Sequence, residues 1–165
     1  MGTTTRQRTG TPATLVLERA GVPFTVHPYH HDTSAPSFGL EAARALGVVP
    51  TRVFKTLLAE VDDELVVAVV PVSGSLDLKS LARAASGKKA VMAATSQAER
   101  ATGYVVGGIS PFGQRRRLPT IVDEAVYGYP TVFVSAGRRG LDLEITPSDL
   151  VRLTGAKTAT IGRTS

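Results

Sequence analysis

The sequence predicts an α/β fold in which a mixed sheet or small barrel is flanked by peripheral helices within a single domain. Its 165 residues are 42% hydrophobic, which is enough apolar material for one core but too short a chain for two independent domains. Segments rich in β-branched residues are interspersed with helix signals. They lack the regular strand-helix-strand repeat of a doubly wound sheet, so a mixed sheet or small barrel is expected.

Helix caps and turn residues divide the first half of the chain into elements. Thr11-Pro12 combines an N-cap with proline at the first helical position, and Gly21 ends that helix. Asp62-Asp63 supplies the turn of an antiparallel hairpin. The predicted elements are the helix after Thr11, a strand at 24–29, a helix at Phe38–Leu46 that Gly47 ends, and hairpin strands at 53–60 and 65–72.

The second half of the chain carries further helix and strand signals. Asp77 caps a helix that ends at Gly87, and Thr146-Pro147 opens the last helix with Asp149 as the expected capping-box partner. Between them we predict strands at 88–92, 120–123, 131–135 and 141–145 and a helix at 95–101. The polar residues 1–10 are expected to be a flexible tail, and the domain is expected to span residues 11–165.

Composition narrows the classes of function. The chain has no cysteine, which excludes disulfides, thiolate metal sites and a cysteine nucleophile of its own. No apolar run approaches the roughly 20 residues that span a bilayer, and the N-terminus has no secretory signal, so a soluble cytoplasmic protein is expected. The net charge of +5 is compatible with a polyanionic partner or with an ordinary basic protein.

The glycine-rich segment at 107–113 is the first candidate site. It lacks the Gly-Lys-Ser/Thr ending of a phosphate-binding loop, and Phe112 stands where a nucleophile elbow needs its second glycine, so Ser110 is a poor nucleophile. Gly107 and Gly108 would let a ligand approach the backbone and accept hydrogen bonds from its N–H groups. The alternative is a tight turn between two strands with no ligand.

Lys55 is the second candidate. Alternation along its strand places it on the same face as Val53 and Leu57. If that face is interior, the ammonium needs an anionic ligand, a carboxylate or a wet pocket. The alternative is an edge-strand lysine that discourages aggregation.

The three histidines and the basic clusters complete the candidates. His27, His30 and His31 lie too close together on one strand and turn to surround an ion, so no metal site is predicted and a solvated turn is the better interpretation. Three basic clusters are expected to face RNA phosphates, although a charge run is also typical of a solvated surface. These clusters are Lys88-Lys89, Arg115-Arg116-Arg117 and Arg138-Arg139.

Several motifs, taken in order, resemble the YbaK/EbsC family of Cys-tRNA(Pro) deacylases over nearly the whole chain from Thr11. The early ones are Thr11-Pro12-Ala13, His27-x-Tyr29-x-His31-Asp32, Phe38-Gly39 and Phe54-Lys55-Thr56-Leu57. The later ones are Thr102-Gly103-Tyr104 leading into 107–113, and Ser135-Ala136-Gly137-Arg138-Arg139-Gly140-Leu141.

The resemblance implies a single α/β domain with a mixed, barrel-like sheet, and removal of cysteine from mischarged tRNA(Pro) in a complex with prolyl-tRNA synthetase, without metal or cofactor. It further implies that activity depends on Lys55, and that Gly107 and Gly108 present backbone to the substrate. The residues expected around the substrate are Tyr29, Phe38, Thr56, Ile109, Ser110, Ser135 and Asp142. The substrate's own thiol is expected to attack its ester carbonyl, because the chain offers no evident nucleophile.

One departure from the family pattern bears on specificity. Ala136 stands where the family's Ser-Gly-Gly form has glycine, and its methyl group is expected to narrow the pocket. Two alternatives therefore remain at this stage. One is a deacylase for alanine or another small amino acid, and the other is a non-catalytic module that binds tRNA or the synthetase.

Overall fold

A hairpin forms the centre of the main sheet in the computed structural model, which describes residues 10–35 and 37–164. Strands β2 (Phe54–Val61) and β3 (Glu64–Pro71) pair antiparallel along their whole length. Asp62 and Asp63 both have positive φ, at 49° and 71°, which is the backbone of a two-residue turn that follows the twist of the strands. The predicted hairpin is confirmed to within one residue at each strand end.

The strands form three sheets. The main sheet has the order β5-β2-β3-β6-β9 and is mixed, because β6 pairs parallel with both β3 and β9. A second sheet has the order β1-β8-β7, and a third pairs β10 with β4. The remaining strands are β1 (Thr25–Pro28), β4 (Gly74–Leu76), β5 (Ala90–Met92), β6 (Thr120–Asp123), β7 (Val132–Arg138), β8 (Leu141–Ile145), β9 (Lys157–Ala159) and β10 (Gly162–Thr164).

Five α-helices surround these sheets, so the predicted mixed α/β fold with peripheral helices is confirmed for the described residues. The strands of the described residues do not close into one barrel, because the β1-β8-β7 sheet is joined to the main sheet by a single bridge, between Phe133 and Val53, the residue before β2. The helices are α1 (Pro12–Ala20), α2 (Phe38–Leu46), α3 (Leu78–Ala84), α4 (Thr95–Thr102) and α5 (Pro147–Thr154), with short 3₁₀ turns at Pro50–Arg52 and Glu124–Gly128.

Polar caps fix the predicted helix starts. The side chains of Thr11, Asp77 and Thr146 each accept a hydrogen bond from a backbone N–H in the first turn of their helix. Asp149 departs from its expected role as a capping-box partner. Its backbone N–H donates to Thr146 Oγ1 at 3.3 Å, whereas its carboxylate accepts from Arg152 at 3.0 Å.

The two faces of the main sheet pack against different partners. Phe54, Leu58 and their neighbours on one face join the largest core cluster with α1, α4, α5 and the β1-β8-β7 sheet. Leu57, Ala59 and Val61 on the other face pack with α3 and Ile161. Lys55 belongs to this second face by strand alternation, which places it on the side of the C-terminal residues.

Three short strands escaped the sequence analysis, and one predicted segment is not described. β4, β9 and β10 have three residues each, too few for a period-2 pattern to show. Residues 1–9 of the predicted tail lie outside the described part of the chain. None of the helices in the described part combines the length and the apolar character that crossing a membrane requires.

Candidate active site

A cavity of about 380 Å³ opens where the main sheet and the β1-β8-β7 sheet separate. β5 pairs only with residues 59–61 of β2, so the first half of β2 borders open space on that side. The start of α2, the β5–α4 junction and the loop at 106–109 complete the wall. The sequence-predicted residues that line this cavity are Tyr29, Phe38, Lys55, Thr56, Gly107, Ile109, Ser135 and Asp142.

Lys55 is half-buried in the cavity wall, and its Nζ donates a hydrogen bond to the carbonyl of Gly74 at 2.9 Å. Burial lowers the pKa of its ammonium. An ammonium has three donors, so two remain for a ligand. β5 does not pair with β2 at Lys55, so the evidence against an edge-strand lysine is its half-buried position in the cavity wall and its hydrogen bond to Gly74.

Asp142 lies on β8 at the opposite side of the cavity and is only 5% exposed. Burial raises the pKa of its carboxyl to about 7, because the charged form loses its water. The pKa of the neighbouring Tyr29 rises to about 12 through burial and the nearby Asp142 charge. Both residues are described, and no ion pair joins Asp142 to Lys55. The cavity therefore holds a cation and an acid that do not neutralise each other.

Thr56 contributes a hydroxyl with no partner. Its Oγ1 is the buried side-chain polar atom that finds no hydrogen bond within residues 10–35 and 37–164. Such a group costs about 1–3 kcal/mol when it is left unsatisfied. Thr56 lines the cavity, but its hydroxyl oxygen is itself buried, so a ligand would satisfy it only by reaching into the wall.

Gly107 and Gly108 have different roles in the loop. Gly107 lines the cavity with φ of +92°, a conformation that other residues rarely adopt, and a Cβ there would lie 2.8 Å from the Phe38 ring. Its N–H makes no hydrogen bond to the described residues. Gly108 packs against backbone instead, since a Cβ there would lie 2.7 Å from Arg138 Cα, and its N–H already donates to Val105 at 2.8 Å.

Ser110 lies behind the cavity wall. It is fully buried, and its Oγ accepts the N–H of Phe112 at 3.2 Å. Ser110 and Gly108 are thus the two predicted site residues that the structure does not bring to the cavity, and both support the shape of the loop.

Phe38 forms one side of the cavity mouth between two side chains. The Arg139 guanidinium lies over its ring at 4.5 Å, and the His31 ring lies 5.9 Å away, tilted against it. Arg139 Nε also donates to the Val106 carbonyl at 2.8 Å. Part of the Arg139 guanidinium therefore holds the wall, and its contact with RNA stays a prediction.

The other basic residues of the three clusters are all exposed, and they lie in different parts of the surface. Arg138 adjoins Arg139, whereas Lys88 and Lys89 lie at the end of β2 away from Lys55, where their backbone N–H groups donate to the Asp62 carboxylate at 2.9 and 3.0 Å. The N–H groups of Arg115 and Arg116 donate to carbonyls at the C-terminal end of α4, whereas the start of α4 lines the cavity. Arg116 and Arg117 line a separate cavity of about 230 Å³.

Two of the histidines form polar contacts that the solvated-turn interpretation missed. His27 Nε2 lies 2.9 Å from Glu144 Oε1, and His31 Nδ1 lies 2.9 Å from Glu41 Oε1. Arg52 Nη2 reaches the other oxygen of Glu144 at 3.3 Å, and Thr131 Oγ1 donates to it at 2.5 Å. We call His27, Arg52, Thr131 and Glu144 the outer polar cluster.

Among the described residues, no group of three His, Asp or Glu side chains is arranged to hold a metal ion.

The expected effect of Ala136 on the pocket is wrong. Ala136 is fully buried in the largest core cluster and does not line the cavity. Strand alternation explains this, because Ser135 faces the cavity and its neighbour must face the other way.

Gly74 and the apolar wall were not found from the sequence. Gly74 contributes only a carbonyl to Lys55, and Leu57, Met92 and Ala98 contribute only apolar surface. Backbone atoms and core-type residues carry no motif, so no signal in the sequence marks them.

These features define a class of protein. It has an α/β fold and a small cavity between two sheets, and the cavity is lined by one lysine, one buried acid and an irregular glycine loop. The model of the aminoacyl-tRNA editing domain matches residues 36–153. The chain belongs to this family, and the resemblance that its motifs indicated is confirmed.

Individual relatives agree with this assignment. A protein of Enterococcus faecalis with the provisional name Cys-tRNA(Pro)/Cys-tRNA(Cys) deacylase EbsC is 37% identical over 160 residues, which are 95% of this chain and 94% of that protein. A solved structure provisionally identified as a trans-editing enzyme for prolyl-tRNA synthetase is 27% identical with a TM-score of 0.82 and covers 93% of this chain and 98% of its own. A solved hypothetical protein, 24% identical with a TM-score of 0.83 over 93% of this chain and all of its own, shares the fold.

Proposed function

We propose that this protein is a cytoplasmic trans-editing deacylase that removes cysteine from mischarged tRNA(Pro). The observation that carries the proposal is that three polar groups of one small cavity do not pair with one another. These groups are the Lys55 ammonium, the Asp142 carboxyl and the Thr56 hydroxyl. A volume of about 380 Å³ suits an aminoacyl group with part of the terminal ribose and is at the small end of ligand pockets. Membership of the editing family supports the reaction class, and the name of the Enterococcus relative supports cysteine as the amino acid.

An aminoacyl ester has the polar groups that these side chains require. Its α-ammonium is a cation that would pair with the Asp142 carboxylate and lower the raised pKa of that acid. Its carbonyl oxygen would accept from Lys55, and the Gly107 N–H is a second donor on the same wall. Substrate binding would then give partners to polar groups that are costly to bury without them.

The proposed chemical step takes its nucleophile from the substrate. The cysteine sulfur attacks the carbonyl carbon of its own ester, a C–S bond forms, and the bond from that carbon to the ribose oxygen breaks. The thiol proton ends on the ribose hydroxyl, which leaves with the tRNA. Lys55 and the Gly107 N–H would stabilise the negative charge that develops on the carbonyl oxygen. Cysteine leaves as its cyclic thioester, which water then opens, so release of the tRNA needs groups of the chain and the substrate alone.

We further propose that the tRNA is held by the exposed basic residues and that prolyl-tRNA synthetase is a partner. Arg138 is exposed beside Arg139 near the cavity, where the acceptor end of a tRNA would arrive, whereas Lys88 and Lys89 are exposed at the Asp62 turn and would contact phosphates farther away. Arg115, Arg116 and Arg117 would contact phosphates farther along the acceptor stem. The synthetase partner is inferred from the structural relative that is described as its trans-editing enzyme.

The experiment that tests the proposed function compares tRNA(Pro) charged with four amino acids. Cys-tRNA(Pro) should be deacylated fastest, and Ser-tRNA(Pro), which is similar in size but has a much weaker nucleophile, should be at least about tenfold slower. Ala-tRNA(Pro) has no side-chain nucleophile and serves with Pro-tRNA(Pro) as a matched control. Equal rates for cysteine and serine would show attack by water, and a preference for alanine would replace cysteine as the substrate.

A further inference from the structure

The ammonium of Lys55 is held by a residue of another strand. Its Nζ donates to the Gly74 carbonyl at 2.9 Å, and this is the protein hydrogen bond that orients the ammonium. Gly74 is the first residue of β4. The position of Lys55 in the cavity therefore depends on where β4 lies.

β4 is fixed by the last strand of the described chain. It pairs antiparallel with β10, with Gly74 opposite Thr164 and Leu76 opposite Gly162. The backbone of β10 lies so close that a Cβ at Gly74 would be 2.2 Å from the Arg163 carbonyl oxygen. Gly74 does not have positive φ, so glycine is needed here for space and not for backbone conformation.

β10 is itself anchored by the buried carboxylate of Asp123. This carboxylate accepts the N–H of Ile161 at 3.0 Å and of Gly162 at 2.6 Å. Ile161 is fully buried against the sheet face that carries Lys55, and its carbonyl accepts the Asp77 N–H at 2.8 Å. A continuous set of contacts thus runs from the end of β6 through β10 and β4 to Lys55.

We propose that the C-terminal strand β10 is a positioning element for Lys55 and acts through the carbonyl of Gly74. Gly74 and β10 are positioning residues and do not touch the substrate. One donor of the ammonium is used by Gly74, which directs the other two towards the cavity. This inference rests on the proposed function of Lys55, since a lysine without a role in deacylation would need no positioning.

Two variants test the inference. Gly74→Ala places a methyl group 2.2 Å from the Arg163 carbonyl oxygen. β4 and β10 must therefore separate, and the Gly74 carbonyl that accepts from Lys55 must move. A chain that lacks residues 162–165 loses β10 but keeps Ile161 in the core. Each change should lower the single-turnover rate for Cys-tRNA(Pro) about tenfold or more, because small displacements of a catalytic group are costly. The Kd for the tRNA should change less than about twofold.

Gly87→Ala is the control for a steric clash elsewhere, against the main sheet and not against the β10-β4 sheet. A Cβ at Gly87 would lie 2.3 Å from Val61 Cγ1, at the end of β2 away from Lys55. This variant should lose thermal stability while its folded molecules keep the parent single-turnover rate. It also keeps the test decisive if the shortened chain does not fold, since Gly74→Ala and Gly87→Ala are then compared in the full chain.

The combination of variants separates positioning from general damage. Gly74→Ala should cost nothing further in the chain that lacks residues 162–165, because the clash is gone. It should also cost nothing further in a Lys55→Met background. An undiminished cost in either background would overturn the inference.

The same set of variants distinguishes this inference from the proposed function. If Lys55→Met keeps the parent rate, the proposed role of Lys55 is wrong. If Lys55→Met is inactive while Gly74→Ala keeps the parent rate, only the positioning inference is wrong.

Discussion

Asp142 and Glu144 are two acids on the same face of β8, and their pKa values are shifted in opposite directions. The alternate residues Leu141, Leu143 and Ile145 point into the core. Burial raises the pKa of Asp142 to about 7, whereas the Thr131 hydroxyl, with His27 and Arg52, lowers the pKa of Glu144. Glu144 is therefore paired with basic side chains of neighbouring segments, whereas Asp142 in the cavity has no cationic partner among the described residues. We therefore take unpaired charge, and not charge as such, as the mark of the candidate site.

The largest expected effect is at the cation of the cavity. Lys55→Met keeps the length of the side chain and removes the ammonium, so deacylation of Cys-tRNA(Pro) should fall by about 10²–10³-fold. Thermal stability should not fall, because the ammonium is desolvated without a carboxylate partner. Arg52→Met is the counterpart in the outer polar cluster and should show the reverse, with lower stability and an unchanged rate. A rate loss of equal size in both variants would contradict the comparison.

Asp142→Asn should weaken substrate binding about tenfold or more, since a hydrogen bond to an ionised partner is replaced by a neutral one. The kcat/KM of the parent should fall as the pH drops below about 7, because the carboxyl is then protonated and no longer pairs with the α-ammonium. This fall should be absent in Asp142→Asn. Steady-state kinetics between pH 5.5 and pH 8, within roughly a unit or two of that pKa, measure both effects.

The stability of the same variant gives an independent check with a fixed sign. The folded pKa of Asp142 lies above the ordinary value of 3.8, so the folded state binds the proton more tightly. Ionisation then costs stability as the pH rises from about 4 to about 7, and the cost is complete above 7. Asp142→Asn should therefore raise Tm at pH 8 and have little effect at pH 4. A raised Tm at both pH values would show that the gain does not come from the carboxylate.

Thr56→Val should have a smaller effect on deacylation. It removes the unpartnered hydroxyl at nearly constant volume, so one neutral hydrogen bond to the substrate is lost and the rate should fall about two- to tenfold. Stability should stay equal or rise. Thr131→Val is the matched control in the outer polar cluster, where the hydroxyl is used, and it should lower Tm without changing the rate.

The smallest effect on catalysis is expected for Glu144→Gln. The rate should match the parent, while unfolding free energy falls by about 1–2 kcal/mol and Tm by several degrees. Because the pKa of Glu144 is depressed, its contribution to stability is present above about pH 4.5 and is lost as the pH falls through the folded pKa. Calorimetry should show the difference from the parent shrink as the pH is lowered below about 4.5. A Glu144→Gln enzyme with a tenfold lower rate would place this acid in the site.

Most of the fold could be read from the sequence because its signals are local. The caps Thr11, Asp77 and Thr146, and the Asp62-Asp63 turn, depend on residues within a few positions of one another. The short strands β4, β9 and β10 could not be predicted, since three residues have no usable period and are held by partners far along the chain.

The candidate site divides in the same way. The order of motifs marked Lys55, Asp142 and the glycine loop, because residue identity and order are properties of the sequence itself. Only the tertiary structure decided that Gly107 reaches the cavity whereas Gly108 and Ser110 support the loop, and that the methyl of Ala136 points into the core. It also decided which acid of β8 is paired and which backbone carbonyl holds Lys55, because burial and hydrogen bonding depend on segments that only folding brings together.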